Sequence, residues 1–121
     1  MHKGNSIPII NENALMSEAL IVLTNKAMGA VIIVSNDLVV KGIFTDGDLK
    51  RIIQKDHDFL TKKITSSMSA NPITIQQKTM AVEALNLMEN RPSQISVLPV
   101  VDEENKVTGI IRLHDLVKAG F

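Results

Sequence analysis

The sequence has 121 residues, of which 45% are hydrophobic and 21% are charged, a balance typical of globular soluble domains. Thirteen basic residues balance thirteen acidic ones, so the basic surface of a nucleic-acid-binding protein is not expected. The absence of cysteine excludes disulfides, thiolate zinc sites and a thiol nucleophile. The apolar stretches are too short to span a membrane and no signal-peptide pattern opens the chain, so we expect a cytoplasmic protein.

The first half of the sequence predicts a β-α-β-β-α unit. Apolar residues at helical spacing predict a helix with one buried face, formed by Met16, Ala19, Leu20 and Leu23. Asn13 precedes this pattern and is a suitable helix cap. The other predicted elements are a short strand over residues 7–10, a buried strand over 31–34, a turn over 35–37, a paired strand over 39–44 and a helix over 46–54.

The second half predicts the same order of elements. A polar linker over residues 55–69, with a short helix near 62–67, leads to a short strand over 73–75. The next helix has an apolar face formed by Ala81, Ala84, Leu85 and Met88. The last predicted elements are a buried strand over 97–101, a polar turn over 102–105, a strand over 107–112 and a helix over 113–119.

The two halves form a tandem repeat, which is clearest around two glycines. Gly42 and Gly109 are 67 positions apart, and each is followed by apolar residues, a polar turn and an Asp-Leu pair. The earlier helix patterns are 65 positions apart, which indicates a small insertion near residues 91–94. One copy of roughly 50 residues buries too little surface to be stable alone. We therefore expect one domain built of two repeats, 1–54 and 70–121.

The residues around each glycine resemble the CBS domain pair, also called the Bateman module. The resemblance rests on Gly-Ile-Phe-Thr-Asp-Gly-Asp at 42–48, on Gly-Ile-Ile-Arg-Leu-His-Asp at 109–115 and on Leu-Pro-Val-Val-Asp at 98–102. It implies an α/β (α+β) fold of tandem CBS repeats, each β-α-β-β-α, packed with pseudo-two-fold symmetry.

Three segments also resemble the C-terminal CBS pair of bacterial D-arabinose 5-phosphate isomerases, namely residues 42–51, 84–88 and 114–120. This resemblance implies a regulatory module of the Kdo and lipopolysaccharide pathway, whose isomerase chemistry belongs to an N-terminal sugar-isomerase domain that these residues do not include. The implied effector is a nucleotide or nucleotide sugar in the cleft between the repeats, with CMP-Kdo favoured over AMP or ATP. No cofactor is required.

The implied partners are the chain's own sugar-isomerase domain and a second copy of the chain in a homodimer, with no nucleic acid and no membrane. Two other functions stay open. One is a structural dimerisation module with unoccupied sites, and the other is a general adenylate-sensing CBS pair.

The first copy of the motif predicts a ligand site at a helix start. Thr45 ends a strand and opens a helix, where backbone N–H groups and the helix dipole favour a phosphate. Gly47 lets a ligand approach the backbone closely, and Asp48 can accept hydrogen bonds from both ribose hydroxyls. The resemblance implies the phosphate role for Thr45 and the ribose role for Asp48. The same Thr-x-x-Asp pattern is a capping box that needs no ligand, and both functions can share one helix end.

The second copy departs from this pattern. Arg112 stands where the family has threonine, while Asp115 is kept. Either the second site is degenerate, or Arg112 supplies a cation to an anionic ligand; the alternative is a solvent-facing arginine at a strand end. His114 is either a ligand contact or an ordinary helix-start residue. In the first copy, Arg51 is interpreted as part of a solvated face or as a phosphate partner.

The rest of the predicted site is aliphatic. Because only three residues are aromatic, we expect a base to lie between side chains such as those of Ile9, Ile33, Ile75 and Val100. The aspartates of the motif lack a third ligand at metal spacing, and no nucleophile turn, histidine pair or Walker loop predicts catalysis. The candidate ligand-binding residues are Pro8, Ile9, Ile33, Thr45, Asp46, Gly47, Asp48, Thr74, Ile75, Arg112, His114 and Asp115.

Overall fold

The computed structural model describes residues 7–26, 28–78, 83 and 97–112. The chain divides into two compact units, one formed by Pro8–Pro72 and the other by Met1–Ile7 together with Ile73–Phe121. The helices predicted around Leu85 and over residues 113–119 lie outside the described residues, as do His114 and Asp115.

The first unit contains a four-stranded sheet, two helices and two single-turn 3-10 helices. Its elements are β1 (Ile9–Asn11), α1 (Met16–Lys26), β2 (Ala30–Val34), β3 (Val40–Thr45), α2 (Asp46–Lys55), the 3-10 turns Phe59–Thr61 and Ile64–Ser66, and β4 (Ser69–Ala70). The strand order is β1-β2-β3-β4. Strand β1 runs parallel to β2, and the other neighbours are antiparallel.

The core of this unit lies between the helices and the sheet. All five residues of β2 are buried, which explains why the sequence there is an unbroken apolar run. Helix α1 buries Met16, Ala19 and Leu23, as its spacing predicted. The buried core residues are Ala14, Met16, Ala19, Ile33, Phe44 and Ile64, and Leu20, Leu49, Ile52 and Met68 pack against them.

The prediction of a cap at Asn13 is wrong. Helix α1 begins three residues later, at Met16, and the exposed Asn13 instead donates its N–H to the side chain of Asn11 at 2.9 Å. The N–H of Met16 donates to the carbonyl of Lys62 at 2.8 Å. The helix start is therefore satisfied by a distant backbone carbonyl and by the side chain of Glu18, which accepts the N–H of Leu15 at 3.3 Å.

The segment predicted as a linker packs into the first unit. Ile64 is fully buried and its N–H donates to the carbonyl of Ala14 at 3.0 Å. The short helix expected near residues 62–67 is the 3-10 turn Ile64–Ser66. Strand β4, which the sequence did not predict, pairs with β3 so that Ala70 lies opposite Gly42.

A close contact with this segment explains the glycine at position 42. A Cβ atom added to Gly42 would lie 2.4 Å from Sδ of Met68, 2.9 Å from its Cγ and 3.0 Å from the carbonyl oxygen of Ser69. Only glycine lets Met68 and the start of β4 cover β3 at this distance.

The described strands of the second unit repeat the arrangement of β1, β2 and β3 in the first. It contains β5 (Ile75–Gln76), β6 (Val97–Val101) and β7 (Val107–Arg112). Strand β5 is parallel to β6, and β6 is antiparallel to β7. The register of β6 and β7 shifts between Val100 and Val101, and that of β2 and β3 shifts at the equivalent point, between Ile33 and Val34. The β-bulge is therefore repeated at the equivalent position of the two sheets.

The turn after the buried strand is also the same in both units. The side chain of Ser35 accepts two backbone N–H bonds at 3.1 and 3.3 Å, and the carboxylate of Asp102 accepts the equivalent pair at 2.8 and 3.0 Å. Leu38 and Asn105 occupy equivalent positions in the left-handed region, with φ of 68° and 63°. Asparagine tolerates this conformation better than leucine, so the first turn carries more backbone strain. Among the described helices, none is long and apolar enough to cross a membrane.

Candidate functional site

The Thr45–Asp48 segment forms a complete capping box at the start of α2. Thr45 has extended backbone angles, φ −110° and ψ 168°, and its Oγ1 accepts the N–H of Asp48 at 3.2 Å. In return, Oδ2 of Asp48 accepts the N–H of Thr45 at 2.9 Å. The capping interpretation of the Thr-x-x-Asp pattern is therefore confirmed. The ligand roles of these two residues stay predictions.

The capping bonds leave part of this chemistry available to a ligand. Thr45 uses its oxygen as an acceptor in the cap, so its hydroxyl proton can still be donated to a phosphate oxygen. The second carboxylate oxygen of Asp48, Oδ1, accepts a hydrogen bond from Nη2 of Arg51. A ribose hydroxyl that binds Asp48 must share the carboxylate with this guanidinium.

Asp46 is tied to a glycine turn before β2. Its N–H donates to the carbonyl of Gly29 at 3.0 Å. Gly29 has φ of +79°, and a Cβ atom there would lie 3.5 Å from Oδ2 of Asp46. The positive φ is the reason for glycine at this position, and the hydrogen bond fixes the end of β3 against the start of β2.

Gly47 differs from Gly42 because the fold has room for a Cβ atom there, and from Gly29 because its φ is not positive. A Cβ atom would lie 3.5 Å from Nη1 of Arg51, 3.7 Å from its Nη2 and 3.7 Å from Oγ1 of Thr45. These are ordinary van der Waals distances, and Gly47 does not have a positive φ. A glycine inside a helix costs roughly 1 kcal/mol relative to alanine. Packing against the described residues therefore does not explain this glycine.

The aliphatic candidates differ in how much surface they expose. Ile33 is fully buried in the core of the first unit, Pro8 is fully buried and Ile75 is 4% exposed. Ile9 and Thr74 are half-buried. All five stay predictions as ligand contacts, and full burial speaks against Ile33 and Pro8, which have almost no surface to offer a ligand.

Arg112 is the last residue of β7, lies opposite Val97 and is half-buried. Thr45, Asp46, Gly47 and Asp48 belong to the first unit, whereas Thr74, Ile75 and Arg112 belong to the second. The predicted cleft between the repeats stays a prediction.

An ion pair after the far end of α2 shifts the pKa of both of its members. Asp56 follows the helix, donates its N–H to the carbonyl of Ile52 and accepts a hydrogen bond from Nζ of Lys62. The bond from Lys62 lowers the pKa of Asp56 below its ordinary value, with a second contribution from the N–H of Asp58. The same bond raises the pKa of Lys62. The ion pair links the residue after α2 to the segment that holds the start of α1.

The sequence leaves the role of Arg51 open between a solvated face and a phosphate partner. Its bond to Asp48 was predictable, because aspartate and arginine three positions apart on a helix are neighbours on its surface.

Within the described part of the chain, no group of three or more His, Asp or Glu side chains is placed to hold a metal ion.

Comparison with known proteins gives a consistent family assignment. The model of the CBS domain matches residues 1–55 and 62–121. Over 120 residues the chain is 38% identical to the arabinose 5-phosphate isomerase KdsD of Yersinia pestis. The aligned region covers 99% of this chain and 36% of that protein. The chain thus spans about a third of the length of this curated relative.

Solved structures share the fold over nearly the whole chain. The CBS-domain-containing protein ATU1752 from Agrobacterium tumefaciens has a TM-score of 0.79 and 27% identity, covering 95% of this chain and 90% of that one. The CBS-pair protein CBSX2 from Arabidopsis thaliana, in its complex with AMP, has a TM-score of 0.80 and 21% identity, covering 98% of this chain and 90% of that one.

Proposed function

Because this chain belongs to the CBS domain family, we propose that it is a regulatory module that binds a nucleotide or nucleotide sugar at the start of α2. Thr45 donates its hydroxyl to a phosphate oxygen, and Asp48 accepts the ribose hydroxyls. The backbone of Gly47 lies against the ligand. AMP binding by CBSX2, a protein of the same fold, supports a nucleotide as the class of ligand.

The observation that carries this proposal is the combination of the capping box and Gly47. The cap alone explains Thr45 and Asp48, since each satisfies a backbone N–H of the other. It does not explain a helix-weakening glycine between them, at a position where a Cβ atom has 3.5 Å or more of clearance. A ligand that needs this space accounts for all three residues together.

The similarity to KdsD supports a more specific regulatory role. We propose that the chain is joined to a sugar-isomerase domain and reports the concentration of a product of the Kdo and lipopolysaccharide pathway, with CMP-Kdo as the favoured effector. Such a ligand carries both a phosphate and a carboxylate, the anionic groups that arginine binds. In this proposal the module itself does not catalyse the isomerisation.

A second candidate function is dimerisation without a ligand. Helices α1 and α2 expose large apolar side chains, with Ile21 61% and Ile53 48% exposed. In this candidate function a second copy covers these residues in a two-fold dimer, the most common form of homo-oligomer. A homodimer is compatible with ligand sensing, but it would be the whole function if the sites stay empty.

A thermal-shift panel distinguishes these functions. The purified chain is heated with CMP-Kdo, CMP, AMP, ATP or S-adenosylmethionine, because a ligand at 100 times its Kd stabilises the native state by roughly 2.7 kcal/mol. A shift with CMP-Kdo alone supports the isomerase effector, and shifts with adenylates support a general adenylate sensor. If no compound changes the Tm, the ligand-sensing proposal fails and the dimerisation module is favoured.

A further inference from the structure

Among the methionines that the structure describes, Met68 is the most exposed. Met16 is fully buried and Met28 is 9% exposed, whereas Met68 is half-buried and directly precedes β4. Peroxides oxidise the thioether of methionine to a sulfoxide, and exposure decides which side chains react first. Within the described part of the chain, Met68 is therefore the methionine that a peroxide reaches most easily.

The side chain of Met68 connects the core of the first unit to the edge of its sheet. Its Sδ and Cγ occupy the space that a Cβ atom of Gly42 would need, and the same side chain packs against the buried core. The next two residues, Ser69 and Ala70, are exposed and form the whole of β4. One half-buried thioether thus adjoins a strand that is shorter than most strands and has little packing of its own.

Oxidation would turn this apolar contact into an unfavourable one. The sulfur attacks an oxygen of the peroxide, the O–O bond breaks, and with hydrogen peroxide the other oxygen leaves as water. The sulfur is oxidised and the peroxide is reduced. The new sulfoxide oxygen is polar and needs a donor or water. The carbonyl oxygen of Ser69, which lies 3.0 Å from the same Cβ position on Gly42, is itself an acceptor and cannot satisfy it.

We propose that Met68 is a site of reversible oxidation by hydroperoxides, and that its sulfoxide releases β4 from β3. The backbone pairs that are lost are Gly42 with Ala70 and Ile43 with Ser69. The segment between α2 and β4 then keeps its anchor at the buried Ile64 and loses its attachment to the sheet. This inference does not depend on the binding of a nucleotide.

The alternative is that Met68 only fills the space over Gly42, as flexible methionine side chains often do. The oxidised side chain would then turn into water while β4 stays paired. Both interpretations predict a sulfoxide at Met68, but only the proposed release predicts a change in the backbone of β4.

Treatment of the whole chain with hydrogen peroxide tests the proposal. Peptide mass mapping should find the sulfoxide at Met68 before it appears at Met16 or Met28. Hydrogen exchange of the amides in residues 69–71 should then become at least about tenfold faster. Met68→Leu is the matched control, because leucine has a similar volume and cannot form a sulfoxide. Peroxide should leave the exchange of β4 in this variant unchanged.

A second variant reproduces the polar side chain without an oxidant. Met68→Gln places a polar group of similar length over Gly42, and its β4 amides should exchange faster than those of the unmodified chain. If Met68 is oxidised while the exchange of β4 stays the same, Met68 is only a filler and the release is refuted. If Met16 or Met28 reacts first, or if peroxide speeds the exchange of β4 equally in Met68→Leu, Met68 is not the responsible site.

Discussion

Replacement of Gly42 by alanine should destabilise the first unit, because β4 and Met68 lie directly over this glycine. The added Cβ atom would be 2.4 Å from Sδ of Met68 and 3.0 Å from the carbonyl oxygen of Ser69. The thioether can swing away, but the carbonyl belongs to the backbone that pairs with β3. Forcing extra volume into packed structure costs roughly 1–3 kcal/mol.

Part of this cost is offset in the unfolded chain. Alanine has less conformational freedom than glycine there, which stabilises the native state by about 0.4–1 kcal/mol. We therefore expect Gly42→Ala to lower the free energy of unfolding by about 1–2 kcal/mol in urea titrations. The corresponding decrease in Tm is roughly 4–8 °C for a chain of this size.

A double-mutant cycle identifies the contact responsible. Met68→Ala removes the Sδ and Cγ atoms that the new Cβ atom meets, so the double variant should lose clearly less stability than the two single changes added together. A coupling of about 0.5 kcal/mol or more is expected for residues in contact. Gly47→Ala is the matched control, since its Cβ atom meets nothing closer than 3.5 Å. An unchanged stability of Gly42→Ala would refute this explanation, whereas strictly additive energies in the cycle would assign the cost to the carbonyl oxygen of Ser69 and not to Met68.

Four further outcomes are expected. Gly47→Ala should raise the free energy of unfolding by about 0.5–1 kcal/mol in urea titrations and lower AMP affinity in calorimetry. Higher stability with unchanged affinity would contradict the ligand role of Gly47. Asp48→Ala should cost about 1 kcal/mol of stability through the lost cap and weaken AMP binding roughly tenfold to hundredfold, and a loss of stability alone would leave only the cap. Lys62 lowers the pKa of Asp56, so the stabilising contribution of Asp56 is present above its unfolded-state pKa and is lost as the pH falls through its folded-state pKa. In Asp56→Asn, the free energy of unfolding from urea titrations should therefore decrease less steeply as the pH is lowered. An unchanged pH dependence would show that the pair contributes nothing. Ile21→Glu should convert a dimer to monomer in light scattering without lowering Tm, and a monomeric unmodified chain would exclude the dimer.

Elements defined by local patterns were predictable from the sequence. Strands β6 and β7 have the predicted bounds, because each is a run of mostly β-branched residues and a turn separates them. The apolar face of α1 followed from helical spacing alone. The repeat strengthened these predictions, since each pattern occurs twice.

Features that depend on distant groups were not predictable in the same way. Strand β4 is only two residues long, and its sequence of Ser69 and Ala70 has no strand signal of its own. The start of α1 is held by Lys62, which lies in a segment that reads as a polar linker. For the candidate site, the cap at Thr45 followed from its motif. The clearance around Gly47 did not, because it depends on where the side chains of Arg51 and Thr45 lie in the folded chain.

The placement of residues 56–70 within the first unit affects how this chain folds during synthesis. Neither the start of α1 nor the sheet edge at β3 can be completed until this later segment has left the ribosome, because Leu15 bridges to Lys63 and Gly42 pairs with Ala70. Such distant contacts close slowly compared with local helix formation. The emerging first repeat therefore exposes the pocket for Ile64 while the start of the second repeat is being made. During that interval a chaperone or the nascent second repeat can reach apolar surface that the finished protein hides.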